Sequence, residues 1–160
     1  MAWSASKIFM ATIEDILENT TAMDLNSDTF KAALYDNDIT PSQTVTSANT
    51  AYNAGQWVSS GNEVYDGSEW AQGGVALSSV ASGFSSNVYT FDAADTVSTG
   101  SSATLANVYG CLVYDDTITT PVADQEAPSG SIRAIVTTVA VSPGAPPGTP
   151  RTRSQWTWPP

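Results

Sequence analysis

The chain contains no histidine. That absence removes the commonest general base, the usual partner of a nucleophilic serine and the commonest zinc ligand. Lysine is almost missing as well: only Lys7 and Lys31 are present, one in an expected helix and one in an expected strand, so lysine-based catalysis finds no site. The single cysteine, Cys111, rules out an internal disulfide, and within the apolar run Val108 to Tyr114 it reads as a small core residue. Five basic residues stand against 16 acidic ones, a net charge of −11, which argues against binding nucleic-acid phosphates because that needs clustered cations. No run approaches the roughly 18 apolar residues of a membrane span. The N-terminus lacks a charged region followed by an apolar stretch and a cleavage site. We therefore expect a soluble protein that is not exported by the ordinary secretory route, and in that setting the acceptor pattern Asn19-Thr20-Thr21 carries no weight. P-loop, dinucleotide fingerprint, Cys/His metal cluster and nucleophile elbow are all missing, so neither a cofactor nor an enzymatic activity is expected.

What is present points to strands. A length of 160 residues suits one domain with its own core. With 41% hydrophobic but only 13% charged residues, the wet positions fall to Ser, Thr, Asn, Gln and Gly. That composition favours strands and turns over helices.

Apolar residues at Phe9, Met10, Ile13, Ile16 and Leu17 follow helical spacing and predict a helix from about residue 5 to 18, with Ser4 or Ser6 as its cap. Its acids Glu14, Asp15 and Glu18 gather toward the C-terminal end, where the helix dipole disfavours them, so it should dock on an apolar surface. Strands are expected at Thr29–Tyr35, ended by Asp36-Asn37-Asp38 and Pro41, at Glu63–Tyr65, at Val75–Leu77, at Val88–Phe91 and from Leu105 to Tyr114. Short strands without a βαβ rhythm predict a mainly β fold: an antiparallel β-sandwich or partly open barrel with one N-terminal helix.

The last 34 residues differ in kind. Residues 1–126 hold all 16 acids and two lysines, a net of −14, whereas 127–160 hold three arginines, no acid and seven of the nine prolines. Ile132–Val141 still reads as a strand, but Pro143-Gly144-Ala145-Pro146-Pro147-Gly148-Thr149-Pro150 cannot enter a sheet interior. The expected organisation is a helix and connection over 1–25, a β domain over 26–142 and an extended or disordered Pro-rich arm over 143–160.

Two acidic groups, Asp36-Asn37-Asp38 and Asp115-Asp116, are candidate calcium ligands. Neither has the alternating spacing and closing glutamate of the twelve-residue calcium loop, and Asp and Asn are also turn formers, so no metal is assigned. Tyr52, Trp57, Tyr65 and Trp70 lie close together in a polar region. They either line a partner or glycan surface or pin long loops to the core. Trp57, Tyr65 and Trp70, with Arg151, Arg153, Trp156 and Trp158 of the arm, are the candidate partner-contact residues. No residue is a candidate catalyst.

Taken in order, Lys31-Ala32-Ala33-Leu34-Tyr35, the loop with Tyr52, Asn62-Glu63-Val64, Glu69-Trp70 with Gly73-Gly74, and Val108 to Asp115 resemble a group of small tailed-bacteriophage virion proteins, minor structural or head-decoration proteins. There a KxALY strand is followed by an NEV…GG segment and a VYD strand. The resemblance spans roughly residues 3–125. It implies a non-enzymatic virion component, assembled in the host bacterial cytoplasm, whose β domain binds the major capsid protein lattice or other virion proteins. Copies would associate by lattice symmetry, trimers being one such homo-oligomer. The resemblance stops near Glu126, where relatives continue with further alternating strands. The stop coincides with the composition break, which suggests a shifted reading frame or a replaced terminus, testable by reading the gene. Two other readings remain open: a tail or fibre component that binds a host glycan through Trp57, Tyr65 and Trp70, and a small hydrolase using Asp36 and Asp38.

Overall fold

The computed structural model describes residues 7–18, 23–42, 44–46, 49–67, 69–97, 105, 107–118, 134–137 and 151–152, the last two stretches through their backbone. The elements are β1 (Lys7–Ile8), α1 (Met10–Leu17), β2 (Phe30–Tyr35), β3 (Glu63–Val64), β4 (Val75–Ala76), β5 (Ala81–Ser85), β6 (Val88–Asp92), β7 (Thr96–Val97), β8 (Gly110–Asp115), β9 (Ala134–Thr137) and β10 (Arg151–Thr152). Every pairing among them is antiparallel. The fold is mainly β with one short N-terminal helix among the described residues, as composition and segment pattern led us to expect.

The centre is the pair β2 and β8, aligned over six residues from Phe30 opposite Asp115 to Tyr35 opposite Gly110. Both strands are apolar without alternation, Phe-Lys-Ala-Ala-Leu-Tyr and Gly-Cys-Leu-Val-Tyr-Asp, the pattern of strands covered on both faces. Only Lys31 is part-exposed, and its ammonium lies 2.7 Å from a carboxylate oxygen of Asp116. On the outer edge of β8 comes β9 and then β1. The outer edge of β2 is shared: β3 pairs with Leu34 and Tyr35, β4 with Lys31 and Ala32.

Each face has its own core. One gathers Phe9, Ala33, Tyr35, Ile39, Trp57, Leu112 and Tyr114; the other gathers Phe30, Ala32, Leu34, Trp70, Phe91, Cys111 and Val113. The hairpin of β5 and β6 forms a separate two-stranded sheet and packs over the second face, where the rings of Phe30 and Phe91 meet edge to face at 5.0 Å. Its turn residues Ser86 and Asn87 both have positive φ, 52° and 63°, the backbone that matches strand twist in a two-residue hairpin loop.

The N-terminus departs from expectation. Extended β1 occupies Lys7–Ile8, so α1 starts at Met10, and Phe9 stands at its cap position without a side-chain cap. The helix is held by the buried Phe9 together with Ala11 and Thr12, while Met10, Ile16 and Leu17 are exposed. Ser4 and Ser6 lie outside the described residues.

Gly74 fixes how β4 meets β2. Its φ is +84°, and a Cβ there would overlap the carbonyl of Ala32, so both the backbone conformation and the close approach require glycine. Gly74→Ala should destabilise the fold by about 3 kcal/mol or more in chemical denaturation, whereas Gly67→Ala, where a Cβ meets nothing within 4 Å, should change it little.

Candidate functional site

The two tryptophans proposed as surface contacts are core residues. Trp57 is fully buried, with Phe9 and Tyr35 against it edge to face at 6.0 and 5.1 Å, and the Tyr35 hydroxyl donates to the Trp57 carbonyl at 2.9 Å. Trp70 is buried on the opposite face, and its indole N–H donates to the Ala32 carbonyl at 2.9 Å. Each long loop brings a large ring that covers one face of the β2–β8 pair, and a hydrogen bond from the Tyr35 hydroxyl to the Trp57 carbonyl or from the Trp70 indole to the Ala32 carbonyl ties it there. This corrects the surface assignment of Trp57 and Trp70: the sheet needs covers on both sides, and these loops supply them. Tyr65 is 47% exposed and keeps access to solvent. Arg151 lies in β10, described through its backbone, and Arg153, Trp156 and Trp158 lie outside the described residues.

Between β3 and the Gly73-Gly74 turn, Glu63 is 8% exposed. One carboxylate oxygen accepts the Gly73 N–H at 2.7 Å and the other accepts the Tyr52 hydroxyl at 2.8 Å. Tyr114 stacks on Tyr52 with centroids 5.1 Å apart, and its hydroxyl donates to the Gly73 carbonyl. Burial raises the Glu63 carboxyl above the usual range, opposed by the Gly73 and Tyr52 hydrogen bonds. Burial likewise raises Tyr52, Tyr114 and Tyr35, so all three remain donors. The arrangement ties the loop carrying Tyr52 and the turn at Gly73 to the sheet, and its donors and acceptors are occupied with one another.

A second carboxylate lies at the end of β8. Asp115 is fully buried; Oδ1 accepts the Thr117 N–H at 2.7 Å, and no donor among the described residues reaches Oδ2. Burial pushes its carboxyl up to about 6; the Thr117 N–H opposes this, and the neighbouring Asp28 carboxyl, to which a protonated Asp115 donates, adds to it. Asp36 and Asp38 form a turn instead: the Asp38 N–H donates to Asp36 Oδ1 at 2.9 Å, the ordinary structural use of an Asx residue. No group of three or more metal-ligating side chains is present among the described residues.

The exposed apolar surface is elsewhere. Phe84, 71% exposed, and Tyr89, 40% exposed, sit directly opposite each other toward the tip of the β5–β6 hairpin. Leu17 and Met10 of α1 are 79% and 54% exposed. The sequence signal for the aromatic pair was available: Ser86-Asn87 between Phe84-Ser85 and Val88-Tyr89 is a two-residue turn with an aromatic two residues out on either side. Gly83 instead read as punctuation and hid β5. No protein-family model, curated protein or solved structure matches this chain.

Two outcomes follow. Trp57→Ala should cost about 3–5 kcal/mol of stability and Tyr65→Ala under about 1 kcal/mol, read by denaturant titration. Because the Asp115 carboxyl is raised in the fold, the native state holds a proton that the unfolded chain releases near pH 4. Its contribution is therefore full below pH 4 and is lost as pH rises toward 6. Asp115→Asn, which keeps the Thr117 acceptor and adds a permanent donor, should be more stable than the wild type at pH 7, and the difference should shrink on acidification to pH 4.

Proposed function

We propose that the protein acts by binding, as a non-enzymatic structural component of a tailed-phage particle that decorates or cements the coat lattice. The observation that carries this reading is where the chemistry lies. Glu63, the most enclosed glutamate among the described residues, and Asp115 are both engaged inside the fold, while large apolar side chains project from the β5–β6 hairpin and from α1. Side chains such as Phe84 and Leu17 gain by being covered, and a protein surface is the cover that suits two separated patches. The net charge of −11 opposes indiscriminate self-association and favours a basic or apolar docking surface. The order of motifs over residues 3–125 supports placing that surface in a virion. Lattice symmetry would multiply weak contacts into stable attachment.

The glycan-binding alternative has less support, because burial of Trp57 and Trp70 leaves Tyr65 alone of its three aromatics. A hydrolase at Asp36 and Asp38 has none, since the pair is engaged in a turn.

The purified protein should cosediment with capsids of the phage that encodes it, and Phe84→Ser with Tyr89→Ser should weaken binding by roughly tenfold or more without lowering the melting temperature. Density for residues 7–118 on the outer shell in electron cryomicroscopy of the virion is the expected position. Density confined to the tail, or a protein that never binds capsids, would reject decoration.

A further inference from the structure

We propose that α1 seats its exposed apolar stripe in a short apolar groove of the coat protein whose rim carries lysine or arginine, a contact that rests on the decoration reading and gives it a specific partner surface. Amphipathic helices ordinarily lay their large apolar side chains against the body of the protein. Helix α1 does the opposite: Ala11 and Thr12 are buried, while Met10, Ile16 and Leu17 are 54%, 43% and 79% exposed and Ile13 is part-buried. At about 100° per residue, Ile16, Ile13, Leu17 and Met10 fall side by side over about a third of the circumference. Ala11, part-buried Asp15 and Thr12 fill the arc toward the body, and exposed Glu14 and Glu18 stand between the two arcs. Phe9, fully buried against Trp57, anchors the helix from its cap position, so the large side chains of the stripe are not needed for that task.

The stripe and its border define the chemistry of the occupant. Met10, Ile13 and Leu17 stand at i, i+3 and i+7, the spacing of the anchors by which a helix sits in the groove of another protein. Along one border Glu14 and Glu18, four residues apart, repel each other and lie at the helix end where the carbonyl dipoles already make the potential negative. The last turn of α1 contains no base, and no lysine or arginine occurs between Lys7 and Lys31, the latter paired with Asp116. Cations on the groove rim would meet Glu14, Glu18 and the last helix carbonyls together, while the groove floor takes Leu17 and Met10. The same charge disfavours two other occupants. A second copy of α1 would bring its own Glu14 and Glu18 to the contact, and an anionic membrane surface would repel them. With eight residues α1 is about 12 Å long, so each contact is small, and many copies on one lattice supply the strength.

Cosedimentation with capsids of the encoding phage separates the α1 contact from decoration itself. Where the wild type binds, Met10→Ser with Leu17→Ser, both at exposed positions, should weaken binding by roughly tenfold or more with the melting temperature unchanged. Glu14→Lys with Glu18→Lys should weaken it by a similar factor; that change favours the helix, so the loss is not one of folding. Raising salt should weaken wild-type binding more than that of Glu14→Gln with Glu18→Gln. A photocrosslinking residue in place of Leu17 should join a coat-protein peptide that contains lysine or arginine. Binding that survives the stripe and charge variants but is lost in Phe84→Ser with Tyr89→Ser overturns the α1 contact and leaves decoration standing, whereas a wild type that binds no capsid overturns both. A crosslink from position 17 to this chain itself, within one copy or between two, assigns the stripe to that occupant and also overturns the proposal.

Discussion

The six-residue ladder between β2 and β8 joins segments some 80 residues apart in sequence, and both of its faces are shut off from water. That double burial sets the terms for the rest of the chain. A strand covered on one side can alternate apolar and polar residues; a strand covered on two is mostly apolar, as β2 and β8 are apart from Lys31 and Asp115, and the covers must come from elsewhere. Here loops bring them. The stretch ending at Trp57 and the Phe9 preceding α1 close one side, while Trp70, Phe91 and the β5–β6 hairpin close the other. Two short strands share the outer edge of β2 because Gly74 lets the chain approach the Ala32 carbonyl closely enough to form β4.

Burial on this scale requires partners for the polar groups that come with it. The hydroxyls of Tyr35 and Tyr114 and the indole hydrogen of Trp70 go to the backbone carbonyls of Trp57, Gly73 and Ala32, which ties each cover to the strand or loop it shields. Carboxylates are harder to enclose in a protein with few cations. Glu63 is held by a tyrosine hydroxyl and a backbone N–H rather than by a lysine or arginine, and Asp115 lies beside another carboxyl. Both are raised by burial. The same scarcity of cations therefore shapes the interior.

How far the fold was legible varies by element. The strands at Phe30–Tyr35, Glu63–Val64, Val75–Ala76 and Val88–Asp92 stood out because they are short apolar runs between turn residues, while the strand expected over Leu105 to Tyr114 begins only at Gly110. The very short strands β1 and β7 did not, because two residues carry no periodicity and exist only through their partners. Strand β5, Ala-Ser-Gly-Phe-Ser, lacks strand formers apart from Phe84 and is ordered by its partner β6. The helix was recognised from its 3.6-residue spacing but not its start. Extended chain up to Ile8 sets that boundary, and Phe9 contributes to the core from the cap position.

Composition and local pattern were enough to establish a mainly β chain, its antiparallel habit, the change of character after Glu126 and the absence of histidine, because these depend on residue types and near neighbours. Which aromatics face water could not be read in the same way. Trp57 and Trp70 are buried, while Tyr65, Phe84 and Tyr89 are not, although all five lie in similar polar, glycine-containing surroundings in sequence. The difference is made by where β2 and β8 meet: an aromatic loop that lands over their shared face is consumed by the core, and a hairpin whose tip projects beyond it is not. The same holds for Glu63 and Asp115, whose enclosure depends on Tyr52, Gly73 and Asp28, residues distant in sequence that only the tertiary fold brings alongside.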